Sequence, residues 1–182
     1  MKATGIVRCI DDLGRVVVPK EIRRTLWIRE GDPLEIYTDR EGEIILKKYS
    51  PIGELSAFAG QYAESLAQTM GCLVCISDRD HIIAAAGNGK KDYDGKQISQ
   101  QLESMIQNRI HRVAAKNDEN FVKITADDHS DYQTQAISTI ISEGDAVGAV
   151  IMCSREERET SGSTQEKLVQ TAAGFLGKQM ES

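Results

Sequence analysis

Short apolar runs cut by turn residues open this chain, and longer helical periods follow them. Residues 5–10 and 15–18 read as strands flanking Asp11-Asp12-Leu13-Gly14, where Asp and Gly supply turn chemistry. The sequence then predicts a short helix over 20–27, with Ile22 and Leu26 four apart on one face. Pro19 fits the first helical position, because its missing N–H would have no partner there anyway. Arg29-Glu30-Gly31-Asp32-Pro33 breaks the helix. Leu34-Glu35-Ile36 and Ile44-Ile45-Leu46 then form a hairpin across Asp39-Arg40-Glu41-Gly42.

Ser50-Pro51 is a helix start, with serine in capping position and proline just after it. Ile52, Leu55, Ala59, Tyr62, Leu66 and Thr69 recur at steps of three and four. This seam fits either a parallel helix pair between subunits or an amphipathic helix packed on its own domain. Beyond it the pattern becomes mixed. Residues 72–77 and 81–86 read as strands around Asp78-Arg79-Asp80, followed by a polar loop over 87–92. A helix is predicted over 98–113, strands over 121–125, 132–141 and 147–153, and a closing helix through Leu168, Ala172, Phe175, Leu176 and Met180. The fold class expected is α+β: an antiparallel sheet with helices at both ends of the second domain. The domains are drawn as 1–50, a connecting helix over 51–70, and 71–182.

About fifty residues bury too little surface for a self-sufficient core. The first segment nevertheless carries several strongly apolar strands, so two copies are expected to complete each other's sheet as a homodimer.

The net charge is −6 over 182 residues, but it is unevenly placed. Residues 1–24 hold six Lys/Arg (Lys2, Arg8, Arg15, Lys20, Arg23, Arg24) against three acids, whereas residues 51–182 hold twelve against nineteen. A basic leading edge on an acidic body fits a DNA binder whose body does other work. No signal peptide is read at the amino end. The apolar run over 146–153 is far short of the roughly 20 residues a spanning helix needs, so no membrane association is expected. Four scattered cysteines (Cys9, Cys72, Cys75, Cys153) do not make a disulfide scaffold and suit a reducing cytoplasm.

The run GRVVVPKEIRRTL at 14–26, followed by REGDPLEI at 29–36, resembles the AbrB-type swapped-hairpin DNA-binding domain across residues 1–50. The chain as a whole is similar to bacterial sporulation regulators in which that domain precedes a GAF-type domain. The resemblance implies an N-terminal swapped-hairpin β-barrel formed as an intertwined dimer, and a GAF-like sensor or dimerisation domain. It further implies a transcription regulator of sporulation genes, acting on double-stranded DNA in the nucleoid of the forespore. The family's DNA-contacting arginines fall on Arg8, Arg15, Arg23 and Arg24, with Lys2 and Lys20 as weaker candidates. Cys9 stands where relatives commonly carry a basic residue. Trp27 stands where they carry a basic or small one, adding apolar surface at the helix end.

Other readings carry less. The arginine face could be merely solvated or ion-paired with Asp11, Asp12 and Glu21. Cys72 and Cys75 are three apart on a strand, so they face opposite ways and converge on no metal or disulfide. His81, His111 and His129 lack zinc-ligand spacing, so no metal site and no enzymatic activity are expected. GAF-type effectors, where present, would sit near residues 98–110 and the loops 87–95 and 117–130. No cofactor is named, and an unidentified small-molecule effector stays open. An antitoxin-like interaction protein built on the same hairpin is the alternative function. Two self-association surfaces, one per domain, would close into a homotetramer through the GAF-domain helices.

Overall fold

Pro19 is buried at the start of α1 (Lys20–Thr25) and sits one position earlier than the sequence suggested, as the residue just before the helix. The computed structural model describes residues 5–129, 131–156 and 161–181, which divide into two units, Met1–Tyr49 and Ser50–Ser182.

In the first unit, α1 is followed by β1 (Leu34–Thr38) and β2 (Ile44–Lys48), an antiparallel hairpin in the register Leu34–Lys48 to Thr38–Ile44. The expected hairpin is therefore present and two residues longer on each strand. Residues 5–10 and 15–18 form no strand. A strand is defined by its ladder partner, and within one chain neither segment has one beyond the turn itself, where Asp11 N–H donates to Arg15 O at 3.0 Å. Apolar side chains of this unit stay in solvent: Val7 is 87% exposed, Val17 72% and Ile36 70%.

The second unit opens with α2 (Pro51–Glu54) and α3 (Ser56–Met70). Ser50 caps α2 as expected: its Oγ accepts from Gly53 N–H at 3.2 Å and donates to Asp78 Oδ2 at 3.0 Å. β3 (Leu73–Ser77), β4 (Ile82–Ala86), β5 (His111–Ala115), β6 (Thr134–Ser142) and β7 (Asp145–Ser154) form one antiparallel sheet in the order β4-β3-β7-β6-β5. α4 (Gln100–Gln107) and α5 (Ser161–Met180) complete the unit. Glu143 and Gly144, both at positive φ, make the tight two-residue turn between β6 and β7.

The sheet separates two cores. On one face, Val74, Ile76, Ala136, Ile140, Val150 and Met152 pack against Ala59, Ala63 and Ala67 of α3 and Val169, Ala172, Ala173 and Leu176 of α5. On the other, Cys75, Ile82, Ile137, Ile151 and Cys153 pack against Leu102, Met105 and Ile106 of α4 and the loop residues Tyr93, Val122, Ile124 and Tyr132. Part of the predicted seam over 52–69 is thus spent inside its own domain: Ile52 and Ala59 are fully buried, and Thr69 is exposed.

Two expectations need correction. The helix predicted over 98–113 ends at Gln107, because Arg109 takes a left-handed backbone (φ 55°) and turns the chain into β5. Residues 121–125 are not a strand but are held by side chains. Gln135 Oε1 accepts from Val122 N–H at 3.1 Å, its Nε2 donates to Val122 O at 2.8 Å, and Asp128 accepts from Ile124 N–H at 3.1 Å. A single bridge, Ile98 to Thr125, is all the ladder this segment makes among the described residues.

Candidate nucleic-acid interface

Asp11 builds the corner that carries Arg15. Its Oδ1 accepts from Leu13 N–H at 3.0 Å and Arg15 N–H at 2.8 Å, and its Oδ2 from Arg15 Nε at 2.8 Å. The Arg15 backbone N–H, then its guanidinium, hold the Asp11 carboxyl below the usual range. Arg15 is still 69% exposed, so most of the guanidinium faces outward.

Lys20, Arg23 and Arg24 lie on α1, with Arg23 and Arg24 in its last turn, where cations suit the helix dipole. Lys20 and Arg24 are exposed; Arg23 is half-buried and its Nε has no partner. Arg8 is exposed on the segment before the Asp11 turn. Among the described residues, Arg8, Lys20, Arg23 and Arg24 have no ion-pair partner, and the only carboxylate engaged by the predicted set is Asp11. Asp12 and Glu21, the other carboxylates weighed as competing partners, pair with none of these cations among the described residues. Lys2 lies outside the described residues.

A half-buried tether, which the sequence reading missed, links the end of this helix to the hairpin. Asp32 Oδ2 accepts from Arg29 N–H at 2.7 Å and from Lys48 Nζ at 2.9 Å, and Lys48 Nζ also donates to Trp27 O at 3.0 Å. Burial works to raise the Asp32 pKa, but the Arg29 N–H and the Lys48 ammonium outweigh it and leave the group lowered. Asp39, Glu41 and Glu43 cluster at the exposed β1–β2 turn, where Asp39 Oδ1 accepts from Glu41 N–H and Glu43 N–H and so shapes the turn.

In the second unit, Tyr93, Leu102, Ile106, Ile124 and Tyr132, from the region where a GAF-type effector was expected, pack in one core cluster, with Tyr93 O–H donating to Asp128 at 2.8 Å. Ser130, part of that expected region, lies outside the described residues. An open cleft of about 390 Å³ lies elsewhere, lined by His111, Ser138, Thr139, Gln170 and Gly174, with His111 Nδ1 2.7 Å from Ser138 Oγ. Cys72 and Cys75 belong to opposite cores, as their spacing required. Burial pushes the Cys72 thiol up to about 11 and also raises the thiols of Cys75 and Cys153 well above the ordinary range. No helix of the described residues is long and apolar enough to cross a membrane.

The comparisons with known proteins divide along the same two units. Residues 54–181 match the family model described as stage V sporulation protein T C-terminal, transcription factor, and residues 7–54 match antidote-toxin recognition MazE, bacterial antitoxin. Stage V sporulation protein T of Bacillus subtilis is 52% identical over 181 residues, covering 100% of this chain and 99% of that one. The transition state regulatory protein AbrB of the same organism is 42% identical over 113 residues, 62% of this chain and 97% of that one. Among solved structures, the free methionine-R-sulfoxide reductase of Thermoplasma acidophilum (TM-score 0.54, 10% identity) covers 71% of this chain and 94% of its own. The cofactor-binding GAF domain of the nutrient sensor CodY from Clostridium difficile (TM-score 0.52, 12% identity) covers 66% and 83%. At such identities these two speak for the fold alone, and that fold is GAF-like. With a full-length relative at 52% identity and a family model spanning most of its length, this chain belongs to the stage V sporulation protein T family of transcription factors.

Proposed function

We propose that two copies of residues 1–50 interleave into a dimer whose Arg8, Arg15, Arg23 and Arg24, supported by Lys20 and Lys2, grip double-stranded DNA. The observation that carries this is that Arg8, Lys20, Arg23 and Arg24 have no carboxylate partner among the described residues of an otherwise acidic protein, while Arg15 is held only by the exposed Asp11. Burying ion-free arginines against phosphate releases counterions, so binding falls steeply with salt. The apolar surface of the same unit, with Val7, Val17 and Ile36 in solvent, supports pairing, since exposed patches of that kind mark interfaces.

The GAF-like unit sets the oligomeric state or answers a small effector. Phe58 stacks on Tyr62 with centroids 6.3 Å apart, both rings meet Phe175 of α5 at a tilt, and Phe58 and Phe175 are partly exposed. That aromatic face supports a second self-association and hence a homotetramer. The regulator acts on sporulation genes in the forespore nucleoid and performs no catalysis.

The test is a gel shift of genomic fragments with the intact protein and with the R15A and R23A/R24A variants, each checked by light scattering. Loss of binding by folded, self-associated variants is the expected result. Wild-type affinity in those variants rejects the assignment.

A further inference from the structure

α1 does not hold itself in place. It has six residues, no side chain caps its start and none of its residues is buried. An isolated helix in water needs roughly 12–15 residues to be even marginally stable. Its last turn nevertheless carries Arg23 and Arg24. The chain leaves that turn through a corner at Trp27 (φ 54°), where Ile28 N–H donates to Arg23 O at 2.8 Å. A left-handed corner without glycine is strained and persists only where neighbouring groups hold it.

The hold comes from the hairpin, at Lys48, 21 positions on from Trp27. Lys48 Nζ donates to Trp27 O at 3.0 Å and pairs with Asp32 Oδ2 at 2.9 Å, and the same Oδ2 accepts from Arg29 N–H at 2.7 Å. Asp32 thus binds the backbone just past the corner and also the ammonium that grips the corner's own carbonyl. The Asp32 and Lys48 side chains are only 5% and 20% exposed, so both charges are spent inside the unit rather than offered to phosphate. We infer that Asp32 and Lys48 are positioning residues for DNA binding: clamped on the Trp27 carbonyl, they fix how Arg23 and Arg24 leave the end of α1. The inference rests on the arginine face being the DNA surface. Arginines held in place beforehand lose less freedom on binding, and that saving is what the clamp supplies.

Charge separates positioning from simple attraction. D32N removes an acid, whereas K48M removes a cation and keeps the aliphatic stem. Attraction alone would move their affinities for DNA in opposite directions. Loss of a shared clamp weakens both, by about tenfold each, and D32N/K48M no further, because the second change finds the clamp already open. The experiment follows the anisotropy of a dye-labelled duplex selected from genomic fragments that the full-length protein retains. Wild type, D32N, K48M, K48R, the double variant and R24A are compared, each checked for self-association by light scattering. K48R, which keeps donors for both partners, should restore most of the affinity. Slopes of log affinity against log salt should match wild type in D32N and K48M, whereas R24A should flatten its slope. Trp27 is the single tryptophan of the chain and reports the corner directly. Its fluorescence anisotropy decay should gain a fast component in D32N and K48M before DNA is added. Opposite shifts in affinity, additive losses in the double variant, an unchanged Trp27 decay, or K48R as weak as K48M each overturn the inference. So does loss of self-association in both D32N and K48M, which makes the pair a folding contact; if D32N alone dissociates, K48M and K48R decide. Failure of the wild type to bind any duplex, or full affinity in R24A, instead rejects the underlying DNA-binding reading.

Discussion

Arg15 Nε lies 2.8 Å from Asp11 Oδ2 while both residues stand in solvent, so one proposed DNA contact begins inside an ion pair. Exposed pairs of this kind are worth about 0–1 kcal/mol, too little to lock the guanidinium away from phosphate. An anion beside a polyanion site, by contrast, costs affinity. D11N keeps the Oδ1 acceptor for Leu13 N–H and Arg15 N–H and removes the charge. It should therefore bind DNA about threefold more tightly at low salt, with the gain shrinking as salt rises. Anisotropy titrations at two salt concentrations check this. Weaker binding by a folded D11N would mean instead that Asp11 orients Arg15 for its contact.

The Asp32 carboxylate gives the first unit an acid sensitivity whose sign follows from its environment. Its side chain is 5% exposed and bonded to both Arg29 N–H and Lys48 Nζ. A carboxyl whose pKa is lowered on folding stabilises the native state above its unfolded pKa, and that contribution fades as pH falls toward the folded value. Urea unfolding at fixed chain concentration should thus show wild type losing more stability than D32N between neutral pH and the acid carboxylate range. D32A should cost about 1–2 kcal/mol at neutral pH, since it removes the carboxylate that accepts from the half-buried Arg29 N–H and the Lys48 ammonium. Equal acid sensitivity in wild type and D32N would remove Asp32 from this role.

Local chemistry explains which parts of this fold could be read from sequence. Ser50-Pro51 announces α2 because a cap is settled within four residues, and the hydrogen bond from Gly53 N–H appears as expected. Basic residues crowded into residues 1–24 mark the arginine face without any three-dimensional information. The overrun of α4 has a local cause too. Ile106 and Ile110 are four apart and imitate a helical face, but Arg109 adopts the left-handed conformation between them. Residues 121–125 read like a strand, yet their bonds go to Gln135, Asp128 and Ser99, which lie 4 to 25 positions away and carry no pattern to detect. The Asp32–Lys48 tether was illegible for the same reason. Segments 5–10 and 15–18 differ again: their apolar runs read as strands, but they find no ladder partner among the described residues of a single chain.

Thiol chemistry divides the cysteines sharply. Cys72, Cys75 and Cys153 are 5%, 0% and 1% exposed, while Cys9 is exposed. Burial raises all three interior thiols, so at pH 8 they hold little thiolate and are shielded from reagents as well. Ellman's reagent should modify one thiol per chain rapidly in the native protein and the other three only after denaturation. C9S should show no rapid phase. A rapid phase persisting in C9S would place a reactive thiol in the GAF-like unit.

Two glycines three residues apart on α5 should respond oppositely to the same substitution. A Cβ at Gly177 would lie 2.0 Å from the carbonyl oxygen of Ile141, at the bulge in β6, so the helix can approach the sheet only because no side chain is there. That obstacle is backbone, which cannot rotate aside. A Cβ at Gly174 meets nothing within 4 Å. In a helix interior, alanine is favoured over glycine by about 0.5–1 kcal/mol, so G174A should stabilise the protein by roughly that amount. G177A gains the same propensity but must push α5 off β6, and overpacking of this kind costs about 1–3 kcal/mol, so a net loss is expected. Thermal or urea unfolding of the two variants at one chain concentration decides the matter. If G177A proved as stable as G174A, the close seating of α5 on β6 would be wrong.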